Sequence, residues 1–392
     1  MKRLLVLGAS IAQIPFIKTA KRMGCYVGVV DYNPEAPAIE FADEYFQSSL
    51  LDVDQVLLAA VKFNPDGITC GASDVGVLTA SKVCMQLRLP SMSVNTALMV
   101  KDKEAMIKAF SRHNVAHPQY IVIQSVDEQI DIDYPVVTKP VDNSGSRGIN
   151  VARNQSELKL ALEDSMACSK SGKVIVEEYI DGPEVSVEVL IQHGEPYILQ
   201  VTDKITSGEP HFIELGHSQP SQLALVDVDR IKQLAYEATK AVEIQDGCAH
   251  VEIKNSSKGP KMVEIAGRLG GDFITTVLLP ASTGVNISEY EILRALGNPK
   301  EFDPQSIINN RGAAVKFIEA KPGLVKSVDV DYLAEDMVGV EEIKFVCQSG
   351  VRYGEAENNN DRFGYVIATG KTAEIALERC DRVLKNLRIH ME

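Results

Sequence analysis

The sequence predicts a mixed fold, α/β at its start and α+β thereafter: a doubly wound parallel sheet, then a larger antiparallel body, then a smaller C-terminal α+β unit. Three observations predict it. The first hundred residues alternate short β-rich runs with helical patterns, the rhythm of parallel strands joined by crossover helices. Beyond Pro90 that rhythm stops, and β-rich runs follow one another with fewer helices between them. A chain of 392 residues is also too long for a single core, so two or three domains are expected.

In order along the chain, residues 4–7 are an apolar strand ending at Gly8, and a helical pattern covers 11–23. A second buried strand at 26–30 ends at Asp31, followed by a helix at 53–62, a strand at 67–70 and a helix at 75–87. Residues 101–113 read as a helix and 134–139 as a strand closed by Pro140. After a Gly/Ser loop at 143–148, Asn154 with Glu157 forms the start signal of another helix. β-rich runs at 174–179, 185–191 and 197–202 precede a helix at 228–242 and a hairpin over 249–266. The last section has strand-like runs at 313–317, 343–346 and 364–368, and a closing helix at 373–387.

Composition narrows the function. With 45% hydrophobic and 24% charged residues the chain is ordinary for a globular protein. A net charge of −14 with no basic block argues against nucleic acid. The seven cysteines lie far apart, are odd in number and contain no C-x-x-C pair, so a reducing cytoplasm is expected rather than a disulfide framework or zinc site. The apolar run in MKRLLVLGAS is too short for a signal peptide, and no stretch reaches the ~20 apolar residues of a membrane helix. No membrane partner is expected.

Two segments carry a nucleotide signal. In TKPVDNSGSRG a strand ends at Lys139 and enters a loop whose Gly145 and Gly148 let backbone N–H groups close on phosphate oxygens. Ser144, Ser146 and Arg147 add donors, and Lys139 adds a point charge at the root of the loop. In VEEYIDGPEVSVEV a strand breaks at Asp181-Gly182-Pro183, which frees backbone groups to read a base edge, and Glu184 can accept from two ribose hydroxyls. Taken singly, each segment also reads as an ordinary turn with a solvated side chain. Together they resemble the ATP-grasp superfamily, whose pattern is a lysine on a strand, a Gly/Ser loop, then Glu-x-x-(apolar)-x-Gly-x-Glu, here Glu177, Ile180, Gly182 and Glu184. The resemblance implies that the backbone of Glu177 and Ile180 reads adenine, that Glu184 holds the ribose, and that Lys139 and the earlier Lys103 meet the phosphates of ATP.

The segment AHVEIKNSSKGPKMVEIAGRLGG reads as a hairpin turning near Ser257 and Lys258, which puts Glu252 about opposite Glu264 and sends Val251, Ile253, Val263 and Ile265 to the other face. Like charges directly opposite on a ladder repel, so a bound cation is the natural explanation. Carboxylates that also reach ATP phosphates suit Mg²⁺, with Mn²⁺ as an alternative ion. The competing reading is two solvated glutamates. Arg268, four residues beyond Glu264, falls on the same face if the strand continues, and there it can stabilise charge developing on a transferring group. The superfamily motif is Glu-x-Asn-x-Arg-x-Gly-Gly; Ala266 stands here where asparagine is usual, which puts one metal ligand in doubt.

The segment TDKITSGEPHFIELGHSQPS resembles the loop that closes over substrate in the L-amino-acid ligase and carnosine synthase branch, with Glu214 and His217 spaced like its substrate-contacting pair. A carboxylate can hold an ammonium group there and a histidine can help deprotonate it. At the N-terminus, Gly8-Ala9-Ser10 with Asp31 imitates a dinucleotide site, but Ser10 and Gln13 stand where two glycines belong. This part is therefore read as a Rossmann-like scaffold without cofactor. Whether Asp74 faces the cleft is left open, while His113, His117 and His250 lack spaced partners and are read as packing or surface residues.

The resemblance implies a pre-ATP-grasp domain at 1–92, the grasp at 93–305 and a C-terminal ligase domain at 306–392. It implies an ATP- and Mg²⁺-dependent carboxylate–amine ligase that works through an acyl phosphate on small-molecule carboxylate and amine substrates, with a homodimer left open. The alternatives are a purine-type or carboxyphosphate-type relative and, outside ligases, an NAD(P)-binding oxidoreductase or sensor on the N-terminal sheet.

Overall fold

The computed structural model describes residues 1–143, 147–308, 311–330 and 337–392. The chain opens with β1 (Arg3–Leu7), α1 (Ile14–Arg22), β2 (Tyr26–Asp31), β3 (Glu44–Gln47), α2 (Val53–Phe63), β4 (Gly67–Thr69) and α3 (Asp74–Leu87). Its four strands are parallel, in the order β3-β2-β1-β4. β1 and β2 are apolar on both faces because helices cover both: Leu4 and Val6 pack toward α1, Leu5 and Leu7 toward α2 and α3. β3 was not foreseen; the polar sequence EYFQ makes a half-buried edge strand without the apolar run that marks β1 and β2.

After α4 (Val94–Met99) and α5 (Lys103–Arg112) comes a second four-stranded sheet, of β5 (Tyr120–Ile123), β6 (Val136–Pro140), β7 (Asn150–Ala152) and β8 (Val174–Glu178), in the order β5-β8-β6-β7. α6 (Gln155–Cys168) packs on it. The Asn154 side chain caps α6 by accepting from the N–H groups of Ser156 and Glu157, while Glu157 reaches back to the N–H of Arg153.

The largest sheet has eight antiparallel strands, β13-β12-β9-β10-β11-β14-β18-β16 in spatial order. In chain order its strands are β9 (Glu184–Gln192), β10 (Glu195–Thr206), β11 (Glu214–Gln219), β12 (Gly247–Ser256), β13 (Gly259–Ala266), β14 (Gly312–Ile318), β16 (Val340–Phe345) and β18 (Gly364–Gly370), and between and after the last of these come β15 (Gly323–Val330), β17 (Arg352–Tyr353) and β19 (Leu387–Met391). β15, β17 and β19 make a small sheet of their own. The period-2 pattern of β9 sets the two faces. Val185, Val187 and Val189 pack against α7 (Leu225–Ala241), while Glu184, Ser186 and Glu188 turn the other way. That second face is the floor of the cleft described below.

Between β13 and β14 lie a π-helical turn (Ile274–Leu278), α8 (Leu279–Thr283) and α9 (Ile287–Ala295); α10 (Ala373–Lys385) covers β14 and β18. One region departs from expectation. The segment taken as a closing loop is instead the end of β10, a turn, and β11, which lies inside the sheet between β10 and β14. Alternation in ELGHSQ is polar with polar, so no apolar periodicity announced a strand. Among the described residues no helix is long and apolar enough to cross a membrane.

Candidate active site

A cleft of about 320 Å³ lies between the β5–β8 sheet and the floor of the large sheet. The hairpin of β12 and β13 supplies its acidic centre. Glu252 pairs directly with Glu264 across the ladder, as the sequence required. A bulge follows at once: Ile253 pairs with Met262, so Val263 is an extra residue and borders the cleft instead of the apolar face where it was expected. Val251, Ile253 and Ile265 are buried on the far side as expected.

Around this hairpin the glutamates that line the cleft have basic partners. Lys103 lies 3.0 Å from Glu264 and donates to the carbonyl of Asn143 at 3.0 Å. Lys139 lies 2.6 Å from Glu177, both nearly buried. Lys254 donates to the carbonyl of Ile180 at 3.3 Å, beside the break that Gly182 makes possible; its φ is 87°, and a Cβ there would sit 2.2 Å from the carbonyl oxygen of Asn255. Arg147 lines the cleft, and Gly148 turns the loop at φ 74°. Ser144, Gly145 and Ser146 lie outside the described residues.

Lys204, which the sequence reading passed over, is the centre of the floor. Its Nζ lies 2.6 Å from Glu184, 2.8 Å from Glu252 and 3.0 Å from Glu214, three carboxylates from three strands. Burial would lower its pKa, but these carboxylates raise it well above the usual lysine value. Its position two residues after Thr202 on an alternating strand was the available signal.

The far wall is held by arginines. Arg268 lies past the end of β13, and both guanidinium arms grip Asp74 at the start of α3, Nε at 2.6 Å and Nη2 at 2.8 Å. Asp74 therefore does face the cleft. Burial would raise the Asp74 carboxyl, but Arg268 beside it holds it low. Arg362, close before β18, grips Asp272 in the same two-armed way at 2.7 and 2.9 Å and donates to the carbonyl of Glu214 at 3.2 Å. Asp272 and Phe273 both have left-handed backbone, φ 47° and 66°, directly before the π-helical turn. Such conformations persist in non-glycine residues only where surroundings enforce them.

His217 stands on β11, fully buried, 3.2 Å from Glu214 and 3.7 Å from Asp272. Burial would push the Glu214 carboxyl up, yet Lys204 and His217 hold it down at about 2. His250, expected as a packing or surface residue, is buried, and it has a partner that spacing along the chain does not show. Its Nδ1 is 2.6 Å from the buried Glu188, its neighbour in register on β9, and Nε2 is 3.5 Å from Glu252. Burial opposes its charge, but Glu188 raises it to about 9. Partners one strand away are invisible to spacing along a sequence.

The donor set at Glu252 and Glu264 fits a hard divalent cation: carboxylate oxygens facing each other on an accessible floor, with no cysteine among the described residues that line it. Ala266 offers no ligand. Glu214, His217 and Asp272 also approach one another within 4.8 Å. They suit an ion less well, because Arg362 takes both oxygens of Asp272 and Lys204 takes one of Glu214. On the N-terminal sheet the dinucleotide position is filled from within. The Gln13 side chain donates to the carbonyls of Leu7 and Cys70 and accepts from the N–H of Ser10, lying where a Cβ on Gly8 would be.

Residues 132–276 match the ATP-grasp domain family. The chain carries an ATP-grasp domain. Residues 316–392 of the chain match a second family, the L-amino acid ligase C-terminal domain 2. Its fold is that of an L-amino acid ligase from Bacillus licheniformis, with a TM-score of 0.86 and 22% identity over 100% of this chain and 99% of that one. It also resembles the biotin carboxylase domain of 2-oxoglutarate carboxylase from Hydrogenobacter thermophilus, a structure holding MgADP, with a TM-score of 0.79 and 20% identity over 100% of this chain and 91% of that one. A formate-dependent phosphoribosylglycinamide formyltransferase from Prochlorococcus marinus is 24% identical, covering 99% of this chain and 98% of its own.

Proposed function

We propose that this chain is an ATP-grasp carboxylate–amine ligase that forms an amide or peptide-like bond through an acyl phosphate, converting ATP to ADP and phosphate. The observation that carries this reading is the pair Glu252 and Glu264, opposed in register on the floor of the cleft with Arg268 at its far wall. The C-terminal match to L-amino acid ligases supports the choice of an amino-acid-like substrate within that class.

In this reading Lys103 and Lys139 exchange their carboxylate partners for ATP phosphates, and Glu184 keeps Lys204 on one oxygen and offers the other to the ribose hydroxyls. Glu252 and Glu264 hold Mg²⁺, which when bound offsets phosphate charge. The substrate carboxylate attacks the γ-phosphoryl group and ADP leaves; a neutral amine then attacks the acyl carbon and phosphate leaves. Arg268 meets the negative charge that grows in both steps. Glu214 faces the amine and holds it as an ammonium, and the buried His217 behind it supports the Glu214 carboxylate and is the nearest imidazole for the released proton. Closure around the intermediate is required because water would hydrolyse it. Domain limits near 92 and 305 are part of the same reading, as is a cytoplasmic location.

The test is a phosphate-release screen with ATP, Mg²⁺ and pairs drawn from amino acids and small carboxylates. Release that needs both an amine and a carboxylate is expected. Glu252→Gln and Glu264→Gln each weaken the Mg²⁺ dependence, by no less than the ~10–100-fold that loss of an outer-shell partner costs at metal sites. A rate and Mg²⁺ titration unchanged in both variants would reduce the pair to surface charge.

A further inference from the structure

Glu252 and Glu264 offer few donors for the metal, and the structure surrounds one of them with fixed positive charge. Ala266, across the ladder from His250, contributes no ligand. Glu252 Oε1 has Lys204 Nζ at 2.8 Å and His250 Nε2 at 3.5 Å. The two lysines at the hairpin are not equivalent. Lys103 has one carboxylate partner, Glu264, so its release toward a phosphate breaks one ion pair. Lys204 serves Glu184, Glu214 and Glu252 together, and its side chain is only 4% exposed. Moving it away would strip all three carboxylates in a buried place, where removing one partner of a buried pair is strongly destabilising.

Two divalent ions at a phosphate site lie ~3.5–4 Å apart and need ligands enough to hold both. Here one oxygen of Glu252 is committed to an ammonium that stays, and the position two residues beyond Glu264 is an alanine. We propose that Lys204 stands in for a second divalent cation, so that the nucleotide-bound site takes a single metal ion, held by Glu264 and the remaining oxygen of Glu252. The inference rests on the nucleotide and metal reading above. Lys204 thereby also fixes the spacing between the ribose-facing, metal-facing and amine-facing carboxylates, because one ammonium is hydrogen-bonded within reach of all three.

Counting bound Mn²⁺ tests this. The full chain is titrated with Mn²⁺ in the presence of β,γ-imido ATP, and the bound ion is read by electron paramagnetic resonance. One tightly bound Mn²⁺ per chain is expected; two overturns the inference while leaving the nucleotide reading intact. Absence of any nucleotide-dependent Mn²⁺ defeats the nucleotide reading and this inference with it. Lys204→Met frees Glu252 Oε1 and is expected to raise the count to two, whereas Lys204→Arg keeps it at one. A count that stays at one in Lys204→Met removes Lys204 from the role. If three exposed carboxylates prevent that variant from folding, Lys204→Met combined with Glu214→Gln carries the same expectation with one repulsive charge fewer.

Discussion

The two walls of the cleft hold their carboxylates by different means. On the side of the Lys139 loop the partners are lysines: Lys139 with Glu177, Lys103 with Glu264, Lys261 with Glu178. On the side reached by α3 and the C-terminal strands they are arginines, each gripping an aspartate with two parallel hydrogen bonds, Arg268 with Asp74 and Arg362 with Asp272. An ammonium is a point charge on a flexible stem and can change partners without loss of geometry; a guanidinium fork fixes the plane and angle of what it holds. The difference teaches that one wall is built to yield its cations to an incoming polyanion. The other is built to stand still.

The strongest way to break that contrast is stability. Arg362→Met leaves the half-buried Asp272, on its strained left-handed backbone, with only His217 at 3.7 Å, and a loss of about 3 kcal/mol in chemical denaturation is expected. Nucleotide protection of the variant should match that of the wild type. If Lys139→Met costs more stability than Arg362→Met, the rigid wall has been assigned to the wrong side.

Catalysis comes next. Arg268→Ala should lower kcat by roughly 10²–10³ with ATP binding retained, since an interaction stronger in the transition state appears in kcat. Arg268→Lys should recover little, because an ammonium cannot replace the fork. A variant with full turnover would end the catalytic reading of the wall.

A third measurement sharpens the yielding side. ATP with Mg²⁺ at ~100 times Kd should stabilise the protein by about 2.7 kcal/mol, and NADH should not. Lys103→Met and Lys139→Met should each reduce the ATP effect. Protection by NADH alone would restore the dinucleotide alternative that the Gln13 side chain argues against.

The smallest effect is a pH dependence. The His250 pKa is raised by Glu188 to about 9 from an ordinary value of 6.5, so the stability its pair supplies is complete below the lower value and is lost as pH rises through the upper one. The Tm deficit of His250→Asn relative to wild type should therefore narrow between about pH 7 and about pH 9.5. A deficit that widens over that range would mean the imidazole is neutral in the folded state.

What the sequence revealed follows from how far each signal reaches along the chain. The parallel sheet was legible because β1 and β2 are apolar on both faces, and the Glu252–Glu264 pair was legible because a tight hairpin converts spacing into register. β11 was not, since its alternation lacks an apolar face. Lys204, Asp272 and Arg362 meet their partners across strands and loops up to 148 positions apart, beyond the reach of any motif. The partner of His250 was missed for the same reason: Glu188 is its neighbour in register and 62 positions away in sequence.

The eight-stranded sheet has one more consequence, for anyone who would dissect the chain. β11 is hydrogen-bonded along one edge by β14, from Gly216 against Lys316 to Gln219 against Ala313. A fragment ending near residue 305 would leave that edge bare, a row of unpaired backbone donors and acceptors beside the buried His217. Open edges of this kind recruit strands from other molecules. Such a truncation is therefore expected to precipitate or form fibrils, and a soluble shortened version would need a charge or a proline set into β11 to blunt it.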